Sequence, residues 1–197
     1  MSEPVDHTEH HAEGRVHRLD HDAALAAADR VELPPYMCDL SIFQVLLRHP
    51  PLAKAINDLL SQLLFRGALD DRLRELVIMR VGWQTGSVYE WAQHWRIAPR
   101  FGVSETDLLG VRDWLAHEPF GRPERAVLAA TDEVLANGAI GAATWTECKA
   151  CLGSTEALLE LPAVIGTWRL ISEILRSLAV PLEDDVSPWP PDGMSPG

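Results

Sequence analysis

The stretch from Glu75 to His94, ELVIMRVGWQTGSVYEWAQH, constrains this chain more than any other. Leu73, Leu76, Val77 and Val81 fall on the spacing of one buried helix face. Ile78 and Met79 widen that face until little of the helix is left for solvent. Such a helix must be surrounded, and the rest of the sequence offers only helices to surround it. The apolar–polar alternation of a half-buried strand is missing, and β-branched residues fall on helical spacings. The expectation is an all-α fold of about eight helices. Glu75 and Arg80 then lie on a helix with little room for unpaired charge.

Helix punctuation supports this along the chain. An alanine-rich helix is expected from His21 to Arg30, ended by Leu33-Pro34-Pro35. Asp39 or Ser41 is a candidate cap for a brief helix carrying Ile42, Phe43 and Val45. Pro50-Pro51 suits the first turn of the next, whose stripe of Leu52, Ile56, Leu59 and Leu63 stops at Gly67. Asp70 caps the central helix, and Gly102 is placed as a stop after His94. Ser104 opens a helix with Leu108, Val111, Trp114 and Leu115, and a longer one follows Pro123 and ends at Gly138. Thr144-x-x-Glu147 has the form of a capping box before Cys148 and Cys151. The last helix, from Leu158 to Leu178, is the most apolar and contains Pro162. Apolar excess on the central and last helices is compatible with burial between subunits.

Three regions are expected: a flexible histidine-rich arm over 1–22, one helical domain over 23–182, and an acidic, proline-rich extended tail over 183–197. At 197 residues, 47% hydrophobic and 23% charged, the chain is large enough for a real core. A net charge of −12 argues against nucleic acid, which demands a basic surface. No apolar run is long enough for a membrane, and the start lacks the basic, apolar signature of a secretory signal, so a cytoplasmic location is expected. Three cysteines do not make a disulfide framework. The histidines of the arm have no fixed ligand spacing, and no metal site is expected.

Ser87, Glu90 and His94 are spaced three and four residues apart, on one stripe of a second helix flanked by Trp91 and Trp95. A carboxylate one turn before a histidine can orient the ring and raise its pKa, which suits proton transfer. The bland reading is that Ser87-x-x-Glu90 is a capping box and His94 a hydrogen-bonded core residue.

Glu75, then Ser87 and Glu90, then His94, within LRELVIMRVGWQTGSVYEWAQHWRIAPRFGVS, resembles the carboxymuconolactone decarboxylase and alkylhydroperoxidase-D-like superfamily. The resemblance runs from about Leu33 to about Val186. The redox branch of that family carries Cys-x-x-Cys where this chain has Ser87 and Glu90, so the chain looks like the non-cysteine, decarboxylase-like branch. The resemblance implies a compact helical domain assembling into homo-oligomers, as trimers or hexamers, and a decarboxylase-like activity on a small carboxylate or carbonyl compound. On this reading His94 is the general acid/base, Glu90 orients or charges it, and Glu75 shuttles a proton from a second helix. Ser87 or an arginine would hold substrate oxygens, with Arg80 and Trp91 as the substrate-binding candidates. No cofactor is expected, because no glycine-rich loop follows a strand. Two rivals stand beside this. One is a thiol peroxidase, which would have to use Cys148-x-x-Cys151, far along the chain from His94. The other is a non-catalytic, ligand-binding oligomer in which Glu75, Arg80 and His94 form a structural network.

Overall fold

In the computed structural model, residues 14–197 are described. They form nine α-helices and no strand: α1 (His21–Asp29), α2 (Ser41–Leu46), α3 (Pro50–Phe65), α4 (Asp71–Thr85), α5 (Val88–Ile97), α6 (Glu105–Gly110), α7 (Arg122–Asn137), α8 (Ala142–Leu152) and α9 (Thr155–Leu178). No helix among them is long and apolar enough to cross a membrane. Most of the arm expected over 1–22 lies outside the described residues. The chain divides into two compact units, with the division falling inside α3 and α9.

The first unit comprises the described residues up to Leu59, together with Ile174–Asp185. Asp20 caps α1 by accepting the Ala23 N–H at 2.8 Å. Neither Asp39 nor Ser41 caps α2. Leu40 holds the cap position and Ser41 is already helical. The Ser41 N–H instead donates to Glu183 at 2.8 Å, and its hydroxyl accepts from Arg18 at 2.9 Å. A side chain distant in sequence has replaced the local cap.

The second unit, Leu60–Glu173 with Val186–Gly197, carries the candidate site. Its axis is α4, opened by Asp70, which accepts the Leu73 N–H at 3.0 Å, and closed by Gly86 at φ 65°. Every residue from Leu73 through Gly82 is buried. α4 packs against α5 and α7, and α7 against α8. Gly82 permits the first of these contacts, because a Cβ there would lie 3.3 Å from the Trp91 nitrogen and 3.4 Å from the Glu90 Cβ. The expected helix after Ser104 is shorter than its apolar pattern, since a 3-10 turn at Val111–Asp113 ends it before Trp114. The Thr144 capping box does not form. α8 starts at Ala142, and Thr144 and Glu147 engage Glu133 and Arg122 instead.

The chain beyond Val186 has no helix but is anchored. Trp189 packs on Trp83 and Trp91, the Pro190 carbonyl accepts the Trp91 indole N–H at 2.8 Å, and Asp192 pairs with Arg112 at 2.8 Å. Arg112 in turn stacks over the rings of Trp83 and Trp91. The apolar residues of α4 are buried in this unit's own core. On α9, Leu159 (67% exposed) and Leu170 do face outward.

Candidate proton-transfer site

The close approach of α4 and α5 sets His94 against Glu75. His94 Nδ1 lies 2.7 Å from Glu75 Oε2. The other Glu75 oxygen accepts from Arg74, at 3.1 Å from Nη2 and 3.3 Å from Nε. Arg74 is itself buried, reaches outward to Asp71, and stacks on Phe101. On the far side of the ring, His94 Nε2 lies 3.6 Å from Glu90 Oε2, and the Trp168 indole N–H donates to Nε2 at 3.2 Å. Trp168 also stands edge-on to the imidazole. An indole N–H can only donate, so Nε2 is the acceptor and the ring proton sits on Nδ1, facing Glu75.

Burial sets the electrostatics. It would raise the Glu75 carboxyl, yet the charge and hydrogen bond of His94, with Arg74 behind them, hold it below the ordinary carboxylate range. Burial would also lower His94, but attraction to Glu75, their hydrogen bond and Glu90 outweigh it, so the His94 pKa is raised. The Glu90 carboxyl is pushed up to about 7 by burial, against the pull of His94 and Trp168 and with some help from Glu75. Glu75 is thus held as an anion, His94 is drawn towards its protonated form, and Glu90 titrates at about 7.

Of the six side chains singled out in the sequence, Glu75, Glu90 and His94 converge, but with the two carboxylates in exchanged places. Glu75 orients the ring, and Glu90 faces the nitrogen that would trade protons. Ser87 occupies the cap position of α5 without capping it, and its buried hydroxyl has no hydrogen-bond partner among the described residues. The Ser87-x-x-Glu90 capping box therefore does not form, because Glu90 turns towards His94. Arg80 does not fit a substrate-binding role. Its Nε and Nη2 clasp Asp132 at 2.7 and 2.8 Å, and Nη1 donates to the Val111 and Arg112 carbonyls. Nor is it the arginine of the network, a place taken by Arg74. Trp91 is fully buried in the tryptophan cluster, with its indole N–H engaged by Pro190. Sequence reasoning missed Arg74 and Trp168. Among the described residues no group of three or more His, Cys, Asp or Glu side chains is placed to hold a metal ion.

Comparison with known proteins bears on the fold and the family match. The Carboxymuconolactone decarboxylase family profile matches residues 50–133, which include Arg74, Glu75, Ser87, Glu90 and His94 but not Trp168. No curated protein matches the chain. Among solved structures, the chain is similar to a protein of unknown function from Agrobacterium tumefaciens whose proposed role is AhpD-type antioxidant defence. That match has 20% identity, a TM-score of 0.65, and covers 71% of this chain and 96% of that one. The alkylhydroperoxidase AhpD core of a peroxidase-related protein from Ralstonia eutropha matches at 17% identity and TM-score 0.67, over 85% and 88% of the two chains. A debrominase in complex with 2,3,4-tribromopyrrole matches at 18% identity and TM-score 0.63, over 82% and 84%. Residues 50–133 of the chain thus match the carboxymuconolactone decarboxylase family, within a fold that these solved structures share.

Proposed function

We propose that this protein is an enzyme that moves protons on a small organic acid or carbonyl compound, with decarboxylation of a carboxymuconolactone-like substrate as the leading case. One observation carries this reading: His94 is held at Nδ1 by an anionic Glu75 while its other nitrogen faces a Glu90 that titrates near neutrality. When a carboxylate leaves as carbon dioxide, its bonding electrons remain on carbon or on a conjugated oxygen. A proton must then reach that carbon. The His94–Glu90 pair supplies it, and Glu75 with Arg74 balances the charge on the imidazole. Ser87, on the same stripe and with an unused hydroxyl, is the candidate donor to a substrate oxygen. Thiol peroxidase chemistry is disfavoured, since burial pushes the Cys148 thiol up to about 11 and the family's thiol positions hold Ser87 and Glu90. The named reactions of the structural neighbours differ from one another, so shared fold alone does not select one.

A specific observation favours a second reading. His94 is only 6% exposed and Glu75 fully buried, as in a structural polar network of a non-catalytic protein. We also propose self-association, through outward α9 residues such as Leu159, with light scattering expected to return a mass several times that of one chain. The experiment that separates the two functional readings is His94→Ala, assayed for carbon dioxide release from a panel of small keto acids and lactone carboxylates. Catalysis predicts a loss of about a hundred- to ten-thousand-fold in rate with near-normal melting temperature and mass. A structural network predicts activity lost only in proportion to lost fold.

A further inference from the structure

Arg112, in the 3-10 turn after α6, lays its guanidinium over two indole faces, Trp83 of α4 at 4.8 Å and Trp91 of α5 at 4.9 Å. Its side chain is 11% exposed, and its Nε has no acceptor among the described residues. A strap of the chain's own C-terminal segment closes this cage. The Trp189 ring stands against Trp83 and Trp91, and the Pro190 carbonyl accepts the Trp91 indole N–H. The Asp192 carboxylate meets Arg112 Nη1 at 2.8 Å and Nη2 at 3.0 Å. We infer that the cage of Arg112, Trp83 and Trp91 is a binding site for a small aromatic carboxylate, which the strap occupies in the ligand's place. These residues are not those of the His94 site, and the inference does not rest on the proton-transfer reading.

The cage is costly to leave empty. With the strap away, a largely buried guanidinium and an indole N–H would both lack acceptors, so an anion has to fill the space. The strap shows what fits. Within four residues it brings an aromatic ring, a carbonyl acceptor and a carboxylate, the last held by two parallel N–H···O bonds. Stacking on two indoles fixes the plane of the guanidinium beforehand, which favours a flat carboxylate over a compact anion. The indole faces in turn favour an aromatic body over an aliphatic one. The strap is also built to be exchanged. Asp192 is 42% exposed, so its side of the ion pair is open to competition from solvent and solutes. Trp189 stands at φ 51°, a left-handed conformation that a bulky residue holds at a cost. The Gly193 N–H closes a turn back to the Trp189 carbonyl at 2.8 Å, a bond internal to the strap that survives its release.

The test titrates the intact chain with indole-3-acetate, and with its uncharged amide as the control, following indole N–H signals by nitrogen-15 NMR. An occupied site binds with an affinity reduced by the fraction of molecules in which it is free. Asp192→Ala should therefore bind the acid at least about tenfold more tightly than wild type, with the largest shifts at Trp83 and Trp91. Trp189→Ala loosens the strap while leaving Arg112 and Asp192 in place, and should change affinity in the same direction. Adding Arg112→Lys to Asp192→Ala keeps the charge but removes the fork, and should abolish most of the gain. The amide should bind none of these proteins measurably. Equal affinity of wild type and both strap variants for the acid, no binding to any of them, or equal binding of acid and amide overturns the inference. Neither carbon dioxide release nor any other turnover enters the readout.

Discussion

Glu75 and His94 lie 19 residues apart on consecutive helices, and their side chains meet at 2.7 Å with both fully or almost fully withdrawn from water. A contact of this kind has large consequences when one partner is neutralised, because the other is left buried without its counter-charge.

Glu75→Gln keeps the shape of the side chain and removes the anion. The His94 pKa is then expected to fall, since burial, which already opposes the charged ring, is no longer outweighed. If the enzyme reading holds, turnover should drop by about a hundredfold or more. Nitrogen-15 titration of His94 checks the first expectation, and carbon dioxide release the second. An unchanged titration midpoint would refute the coupling.

The Glu90 and His94 shifts make stability depend on pH in a defined direction. Both groups hold protons more tightly folded than unfolded, so their contribution is complete at low pH and is lost as pH rises through the folded values. For Glu90 that window runs from 4.5 to about 7 and is worth on the order of 3 kcal/mol. Glu75, shifted the other way, contributes above its unfolded value of 4.5 and loses this as pH falls through its folded pKa. Melting temperature should decline from about pH 5 to about pH 8, and Glu90→Gln should remove much of that slope. A slope that Glu90→Gln leaves untouched would count against the assignment.

Asp132→Ala should cost about 3 kcal/mol, as expected for stripping a buried guanidinium of its carboxylate. Trp114 loses a partner too, since its indole N–H donates to Asp132 at 2.9 Å. Chemical denaturation measures the loss. Arg80→Lys should likewise weaken the fold without raising KM. A raised KM at normal stability would restore Arg80 as a substrate ligand.

Replacing Cys148 and Cys151 by serine should leave activity within about twofold, since Cys148 is a buried thiol hydrogen-bonded to the Ala126 carbonyl. Thiol-dependent peroxide turnover in wild type, abolished in a folded double variant, would revive the peroxidase reading.

Helix punctuation was legible where it is local. Asp70, Ser104 and Gly102 act at their own positions, and each was readable from its neighbours. Ser87-x-x-Glu90 misled because its spacing serves two purposes. A glutamate three residues past a serine can reach back to the helix start, or, as here, lie beside a histidine one turn on. Trp168 could not be found by spacing at all, since it stands 74 residues beyond His94 and reads as one more apolar position of α9. Arg74 was passed over for Arg80 because neither helical spacing nor residue type says which of two buried arginines meets a carboxylate on its own helix.

Gly82 gives the site a length standard. The gap between α4 and α5 is as narrow as a bare Cα allows, and a single methyl would have to be accommodated against backbone and the Glu90 stem. Relatives with alanine or serine at this position would hold their two helices a few tenths of an ångström further apart. The glycine thus sets how closely the two helices approach, and with them Glu75 and His94.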